Sequence, residues 1–163
     1  MEKPTVTHLK LNDPAPDFEA PRTEGDSFHL SALRGQYVVL YFYPRDNTPG
    51  CTTEARDFEA LLPEFRRHQA RVVGVSRDSQ SSHRKFCDRQ GLTFDLVADE
   101  SGAVCEKYGV LQPKKMFGRE YLGIVRSTFL VDPQGLLRAI WPKVKVDGHA
   151  LEVLEALRRL QAE

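Results

Sequence analysis

A thiol is the most reactive group this chain offers, and one of its three cysteines sits where a fold could activate it. Pro44-Arg45-Asp46-Asn47-Thr48-Pro49-Gly50-Cys51 follows the apolar run Tyr37-Val38-Val39-Leu40-Tyr41-Phe42-Tyr43 and precedes an amphipathic segment. That order predicts strand, turn, helix, with Cys51 at the positive end of the helix and the Thr48 hydroxyl just before it. A helix start, with its dipole and unpaired N–H groups, favours the thiolate, and the thiolate is the nucleophile. A guanidinium close by would favour it further. Pro44 and Pro49 stiffen the turn, and Gly50 lets backbone come close to a ligand. Thr48 can accept from a substrate and donate to a thiolate. Together these groups make a small polar pocket that suits a two-oxygen substrate. A cysteine taken at random is more often a small buried hydrophobe; the strand–turn–helix setting and Thr48 outweigh that reading here.

The elements that must hold this turn are legible in the pattern. Val38–Phe42 and Val72–Ser76 read as buried strands. Between them Phe58, Leu61, Leu62 and Phe65 define one helical face, and Pro63 is expected to kink or split that helix near Leu62. Ser79 caps a helix running to Gln90 and stopped by Gly91. Phe94–Val97 is strand-like, and Ser101–Tyr108 is a short helix ending at Gly109. Thr128–Val131 and Leu136–Ile140 flank Asp132-Pro133-Gln134-Gly135 as a hairpin. A last helix covers about His149–Leu160, with Leu151, Leu154 and Leu157 inward. Near the N-terminus, residues 1–15 should wrap the surface, Phe28-His29-Leu30 alternates like an edge strand, and Ser31–Gly35 reads as one serine-capped turn. Leu111–Gly123 is the longest stretch without periodicity, and such loops are often functional. Strands alternating with helices and closing on a hairpin give an α/β fold with a mixed sheet.

Length and composition fit one domain spanning 1–163: the chain is 40% apolar and 28% charged. Lys plus Arg and Asp plus Glu each number 23, so no broad field points to nucleic acid or an anionic membrane. Met1-Glu2-Lys3-Pro4-Thr5 shows no basic segment followed by an apolar one, so no secretory signal is expected. No apolar run approaches the ~20 residues that span a bilayer. The expected compartment is a reducing cytoplasm, where three scattered cysteines stay thiols. No exposed apolar stripe stands out, and a monomer is expected.

Pro44-x-x-x-Thr48-x-x-Cys51 resembles the active-site motif of the peroxiredoxins. Its flanks, Tyr41-Phe42-Tyr43-Pro44 and Thr52-Thr53-Glu54, resemble the Q-type branch, also called bacterioferritin comigratory protein or thioredoxin-dependent thiol peroxidase. The likeness runs from about Leu11 to Leu157 and includes Val73–Ser76 and Gly123–Asp132. It implies a thioredoxin-like fold, a central mixed β-sheet flanked by helices with a small N-terminal β extension. It also implies that Cys51 attacks a hydrogen peroxide or organic hydroperoxide substrate and becomes a sulfenic acid. Thr48 and the Cys51 backbone N–H would orient the peroxide. Arg126 matches the family's second-strand arginine, which would favour the thiolate and the leaving oxygen, although an arginine opening a strand is usually a solvated edge residue. Pro44 would shield the sulfur. Glu54 lies where a helix start favours a carboxylate, and in the family it bonds the arginine, which gives it a positioning role.

Many Q-type relatives resolve the sulfenic acid with a cysteine five residues after the first; here that position is Arg56. The resemblance then points to Cys87, on the helix after the second strand, since some relatives carry a resolving cysteine in that region. His83, Arg84 and Asp88 around it look exposed, while Cys105 looks like a structural helix contact. The pair would meet by unwinding after Cys51 and fraying of the Cys87 helix. Thioredoxin or a similar thiol reductant would recycle the disulfide. Resolution by an external thiol, and a non-catalytic redox-responsive binding or holdase protein, remain alternatives. No Cys-x-x-Cys pair exists, no metal-ligand spacing is visible, and no cofactor is implied. His29, His68, His83 and His149 are expected at the surface.

Overall fold

The computed structural model describes residues 7–163; the Met1–Thr5 stretch and the first part of the expected N-terminal wrap lie outside the described residues. In chain order the elements are β1 (Glu19–Ala20), β2 (Phe28–His29), a 3-10 turn (Leu30–Leu33), β3 (Tyr37–Phe42), α1 (Pro49–Arg67), β4 (Ala70–Ser76), α2 (Gln80–Gln90) and β5 (Asp95–Ala98). There follow α3 (Ala103–Lys107), β6 (Leu111–Met116), β7 (Arg119–Ile124), β8 (Ser127–Val131), β9 (Leu137–Trp141) and α4 (His149–Ala162). The central sheet has five strands in the order β5-β4-β3-β8-β9. β3 runs parallel to β4 and β4 to β5, whereas β8 is antiparallel to both β3 and β9. The sheet is therefore mixed, and β1–β2 form the expected small N-terminal extension.

Strand alternation divides the core. Val39, Tyr41 and Tyr43 point to one face, into a cluster with Phe58, Leu62 and Phe65 of α1, Phe86 of α2, and Val153, Leu154 and Leu157 of α4. Val38, Leu40 and Phe42 point to the other, where Val104 and Tyr108 and the N-terminal Phe18 and Phe28 cover them. A central strand buried on both faces must be apolar throughout, which is what Val38–Phe42 provides.

The antiparallel β3–β8 register decides where the site forms. Phe42 pairs with Ser127, so the C-terminal end of β3, which feeds the Pro44–Cys51 turn, lies beside the N-terminal end of β8, which carries Arg126 just before it. The close fit on this face needs a glycine. A Cβ on Gly74 would lie 2.8 Å from Tyr41 Cζ and from Leu96 Cδ2.

Several expectations are corrected. α1 runs unbroken through Pro63. Pro63 is exposed, and the buried Phe58, Leu62 and Phe65 clamp the helix on either side of it. Leu111–Gly123 is ordered as the β6–β7 hairpin. Its turn, Phe117-Gly118, has φ of 52° and 77°, a left-handed pair without the Asn-Gly signal that marks such turns. This hairpin leaves Met116, Phe117, Tyr121 and Leu122 exposed, so an apolar surface does exist and the monomer expectation loses that support. Leu151 is 48% exposed, because the inward stripe of α4 is Ala150, Val153, Leu154 and Leu157. Ser31 does not cap its turn; its N–H donates to Asp17 Oδ1 at 2.9 Å, and His29 stands at the cap position. Ser79 and Gly91 bound α2 as expected, the serine accepting from Ser82 N–H and the glycine adopting φ 68°.

Gly74→Ala is expected to destabilise the protein by about 1–3 kcal/mol through overpacking. The measurement is the urea unfolding midpoint.

Candidate active site

Cys51 is the third residue of α1, buried at the start of the helix. Thr48 is the N-cap, with extended backbone, and Pro49 takes the first helical position, where its missing N–H costs nothing. Asn47 before it holds φ 67°, the left-handed kink that asparagine tolerates, and this turns the chain from strand to helix. The Thr48 hydroxyl donates to the Arg45 carbonyl at 3.0 Å, so it does not donate to sulfur as expected, and its lone pairs stay free to accept. Pro44 opens the turn, half-buried at the end of β3.

Arg126 closes the site from the other side of the chain. Its Nη2 donates to Cys51 Sγ at 3.3 Å and its Nη1 to Glu54 Oε1 at 2.7 Å. One planar fork thus spans a sulfur and a carboxylate a turn apart on α1. Gly50 makes room for it: a Cβ there would lie 3.2 Å from Nη2. The guanidinium is mostly buried; burial opposes its charge, but Glu54 and Cys51 outweigh that and hold it more firmly protonated than usual. Glu54 shows the cost. Burial pushes its carboxyl up, against the pull of Arg126, to about 7. Its Oε2 has no hydrogen-bond partner among the described residues, and neither has the buried Tyr41 hydroxyl.

A second cation was not anticipated. Lys114 of β6 crosses the hairpin so that Nζ donates to the Ile124 carbonyl at 2.7 Å, and a Cβ on Gly123 would meet its stem at 2.7 Å. Burial and then the nearby Arg126 lower its basicity, while Cys51 pulls the other way. Its only sequence signal was membership of a stretch without periodicity.

The sheet separates the other cysteines. Cys87 shares the apolar cluster of Cys51, whereas Cys105 belongs to the cluster on the opposite face. All three are unpaired thiols. Cys87 is buried although Arg84 and Asp88 beside it are exposed as expected; burial pushes its thiol up to about 11, and Thr23 Oγ1 lies 3.9 Å from its sulfur. His83 and His149 are also buried, not exposed, because both find polar partners: Asp46 and the Val97 carbonyl for His83, Thr128 for His149.

A mixed sheet with helices on both faces, and a buried thiol at a helix start bonded to a guanidinium, defines a thioredoxin-like domain built around a redox-capable cysteine. Known proteins agree. Residues 11–140 match the AhpC/TSA family. Peroxiredoxin Bcp of Xanthomonas campestris is 49% identical over 155 residues, 94% of this chain and 97% of the relative. Peroxiredoxin Bcp of Bacillus subtilis is 45% identical over 150 residues, 92% of this chain and 96% of the relative. A solved structure of the Xanthomonas campestris bacterioferritin comigratory protein, described for its alkyl peroxide reduction activity from trapped intermediate and ligand complexes, superposes with a TM-score of 0.85 at 46% identity, covering 94% of this chain and 98% of that one. The chain belongs to the AhpC/TSA family, among the peroxiredoxins of the Bcp or Q type. It is a thiol peroxidase, an oxidoreductase.

Two outcomes follow from the Arg126 fork. Arg126→Gln is expected to slow peroxide-dependent oxidation of Cys51 by about a hundredfold or more, read by stopped-flow on protein with native circular dichroism. Glu54 titrates in the fold at about 7 against an ordinary 4.5, so folding favours its protonated form; that contribution is complete below about 4.5 and is lost as pH rises through about 7. Glu54→Gln, a neutral mimic, should therefore gain on the wild type in urea unfolding as pH rises across that window.

Proposed function

We propose that Cys51 reduces hydrogen peroxide and organic hydroperoxides, that Cys87 resolves the product as an intramolecular disulfide, and that thioredoxin or a similar thiol reductant recycles it. The observation that carries this reading is the Arg126 fork on Cys51 and Glu54 at the start of α1. In the first step the Cys51 sulfur donates an electron pair to the terminal peroxide oxygen. The O–O bond breaks, the leaving oxygen takes a proton as water or alcohol, and sulfur becomes a sulfenic acid. Arg126 meets the charge that develops on the oxygens, and the free lone pairs of Thr48 accept the peroxide hydrogen. Gly50 keeps the guanidinium in reach, Glu54 aims it, and Pro44 walls off water.

Cys87 attacks Cys51 next: an S–S bond forms, the S–O bond breaks, and the hydroxyl leaves with the Cys87 proton as water. Support for Cys87 over Cys105 is that Cys51 and Cys87 lie on one side of the sheet, so no strand separates them. Its burial means that α2 must loosen first. Three unpaired cysteines suit a reducing compartment such as the cytoplasm, and no described helix is long and apolar enough to cross a membrane.

Mass mapping after a single equivalent of peroxide tests the scheme. A Cys51–Cys87 link is expected in wild type, a stalled sulfenic acid in Cys87→Ser, and no oxidation of the remaining thiols in Cys51→Ser. Turnover of Cys87→Ser at the wild-type rate would instead assign resolution to an external thiol.

A further inference from the structure

The turn that carries Cys51 and the helix that carries Cys87 are joined by a buried polar cluster that the peroxide chemistry does not use. Asp46 lies in the turn, and its side chain is 1% exposed; that of His83, one helical turn before Cys87, is 0% exposed. Asp46 Oδ1 accepts from the Tyr43 hydroxyl at 2.6 Å. Oδ2 accepts from the Ser82 hydroxyl at 2.8 Å and faces His83 Nδ1 at 2.8 Å. On the far side of the ring, Nε2 faces the Val97 carbonyl at 3.0 Å. Each ring nitrogen thus faces an oxygen of another element, the Asp46 carboxylate on one side and the Val97 carbonyl of β5 on the other. The Asp46 N–H is spent on Asp78 Oδ2 at 2.8 Å, which also accepts from Ser76. Burial works against the Asp46 charge, but the bonds from His83, Tyr43 and Ser82 outweigh it and keep the carboxyl below its ordinary range.

Asp46, Asp78 and His83 present ligand atoms within 4.8 Å of one another, a grouping the sequence spacing hid. Those atoms already take or give hydrogen bonds within the protein, so the cluster is satisfied as it stands. Its position explains it better. In α2 the buried residues are His83, Phe86 and Cys87, so Phe86 is the one large apolar anchor of this helix. Gln80 and Arg84 tie the helix to the Arg22 and Thr23 carbonyls, and a second tie to the turn joins Arg89 Nη1 to Asn47 Oδ1 at 3.0 Å. Cys87 sits between the two ties to the turn.

We propose that Asp46 and His83 are positioning residues for the second half of the reaction: their buried pair latches the Cys87 helix onto the Cys51 turn, and its release sets how fast the sulfenic acid becomes a disulfide. The inference rests on the Cys51–Cys87 pairing. A tight latch keeps Cys87 sequestered and lengthens the life of the sulfenic acid; during that time a second peroxide can carry it to sulfinic acid, adding one oxygen to sulfur and releasing water or alcohol. A charge-assisted bond removed from a buried pair shifts the equilibrium towards the open form by about tenfold or more.

Rapid-mixing experiments on the full chain separate the two steps: peroxide consumption reports Cys51 oxidation, and quenched-flow mass analysis reports the disulfide. His83→Gln, whose flexible amide cannot span Asp46 and the Val97 carbonyl as the ring does, is expected to speed disulfide formation by about tenfold or more and leave peroxide consumption unchanged. Ser82→Ala, a milder cut at the same carboxylate, should shift it in the same direction by less and covers the case of a misfolded His83 variant. Both should yield less sulfinic acid at equal excess peroxide. Unchanged or slower disulfide formation in folded variants, or an equal change in both steps, would overturn the latch. If wild type forms no Cys51–Cys87 bond, the pairing fails and the latch with it; if it forms the bond at the same rate as the variants, the latch alone fails.

Discussion

A guanidinium held out of water needs acceptors at both ends of its fork, and Arg126 finds them on a single turn of helix. Nearly everything about this site follows from that requirement. Cys51 and Glu54 must be a turn apart on α1, so the helix must begin at Pro49 and not later. Gly50 must lack a side chain, since a Cβ would crowd Nη2. Most of all, β8 must run antiparallel to β3, because only then does the residue before β8 arrive where the β3–α1 turn begins. The bond from Arg126 to Cys51 spans 75 positions in the chain, and the sheet register alone closes that distance.

Such an arrangement is costly locally. Among the described residues Glu54 has one oxygen without a partner and the Tyr41 hydroxyl has none, and Asn47 holds a left-handed backbone. Each would destabilise an isolated peptide. The offset comes from the apolar clusters on the two faces of the sheet, which fix β3 between α1 and α4 on one side and α3 with the N-terminal segment on the other. Tyr41 ties the two scales together: its ring stacks on Phe58 at 4.7 Å and fills the space Gly74 leaves, while its buried hydroxyl lies near Glu54 and Cys51.

The sheet also acts as a partition. It leaves Cys87 with Cys51 and puts Cys105 behind a layer of strands, a distinction invisible in a list of three thiols. Between the Cys51 turn and the Cys87 helix, buried polar ties add to the apolar cluster that the two cysteines share, and local opening must release those ties as well. The exposed apolar tip of the β6–β7 hairpin adds surface on the strand that leads to Arg126.

Short-range chemistry governs everything that could be read along the chain. The strand–turn–helix around Cys51, the serine cap and glycine stop of α2, and the turn between β8 and β9 depend on residues a few positions apart, and these were legible. The Arg126 partnership was legible only through likeness to a family, since an arginine opening a strand is ordinarily solvated. The remaining features depend on distant neighbours. Pro63 stays helical because packing on either side of it outweighs a lost hydrogen bond. Leu111–Gly123 becomes a hairpin although Phe117-Gly118 lacks a recognised turn signal. His83 is buried, against its polar local sequence, because Asp46 and a β5 carbonyl meet both ring nitrogens. Local pattern reports what a residue prefers when water is the alternative; only the assembled sheet supplies the partners that let a charge do without it.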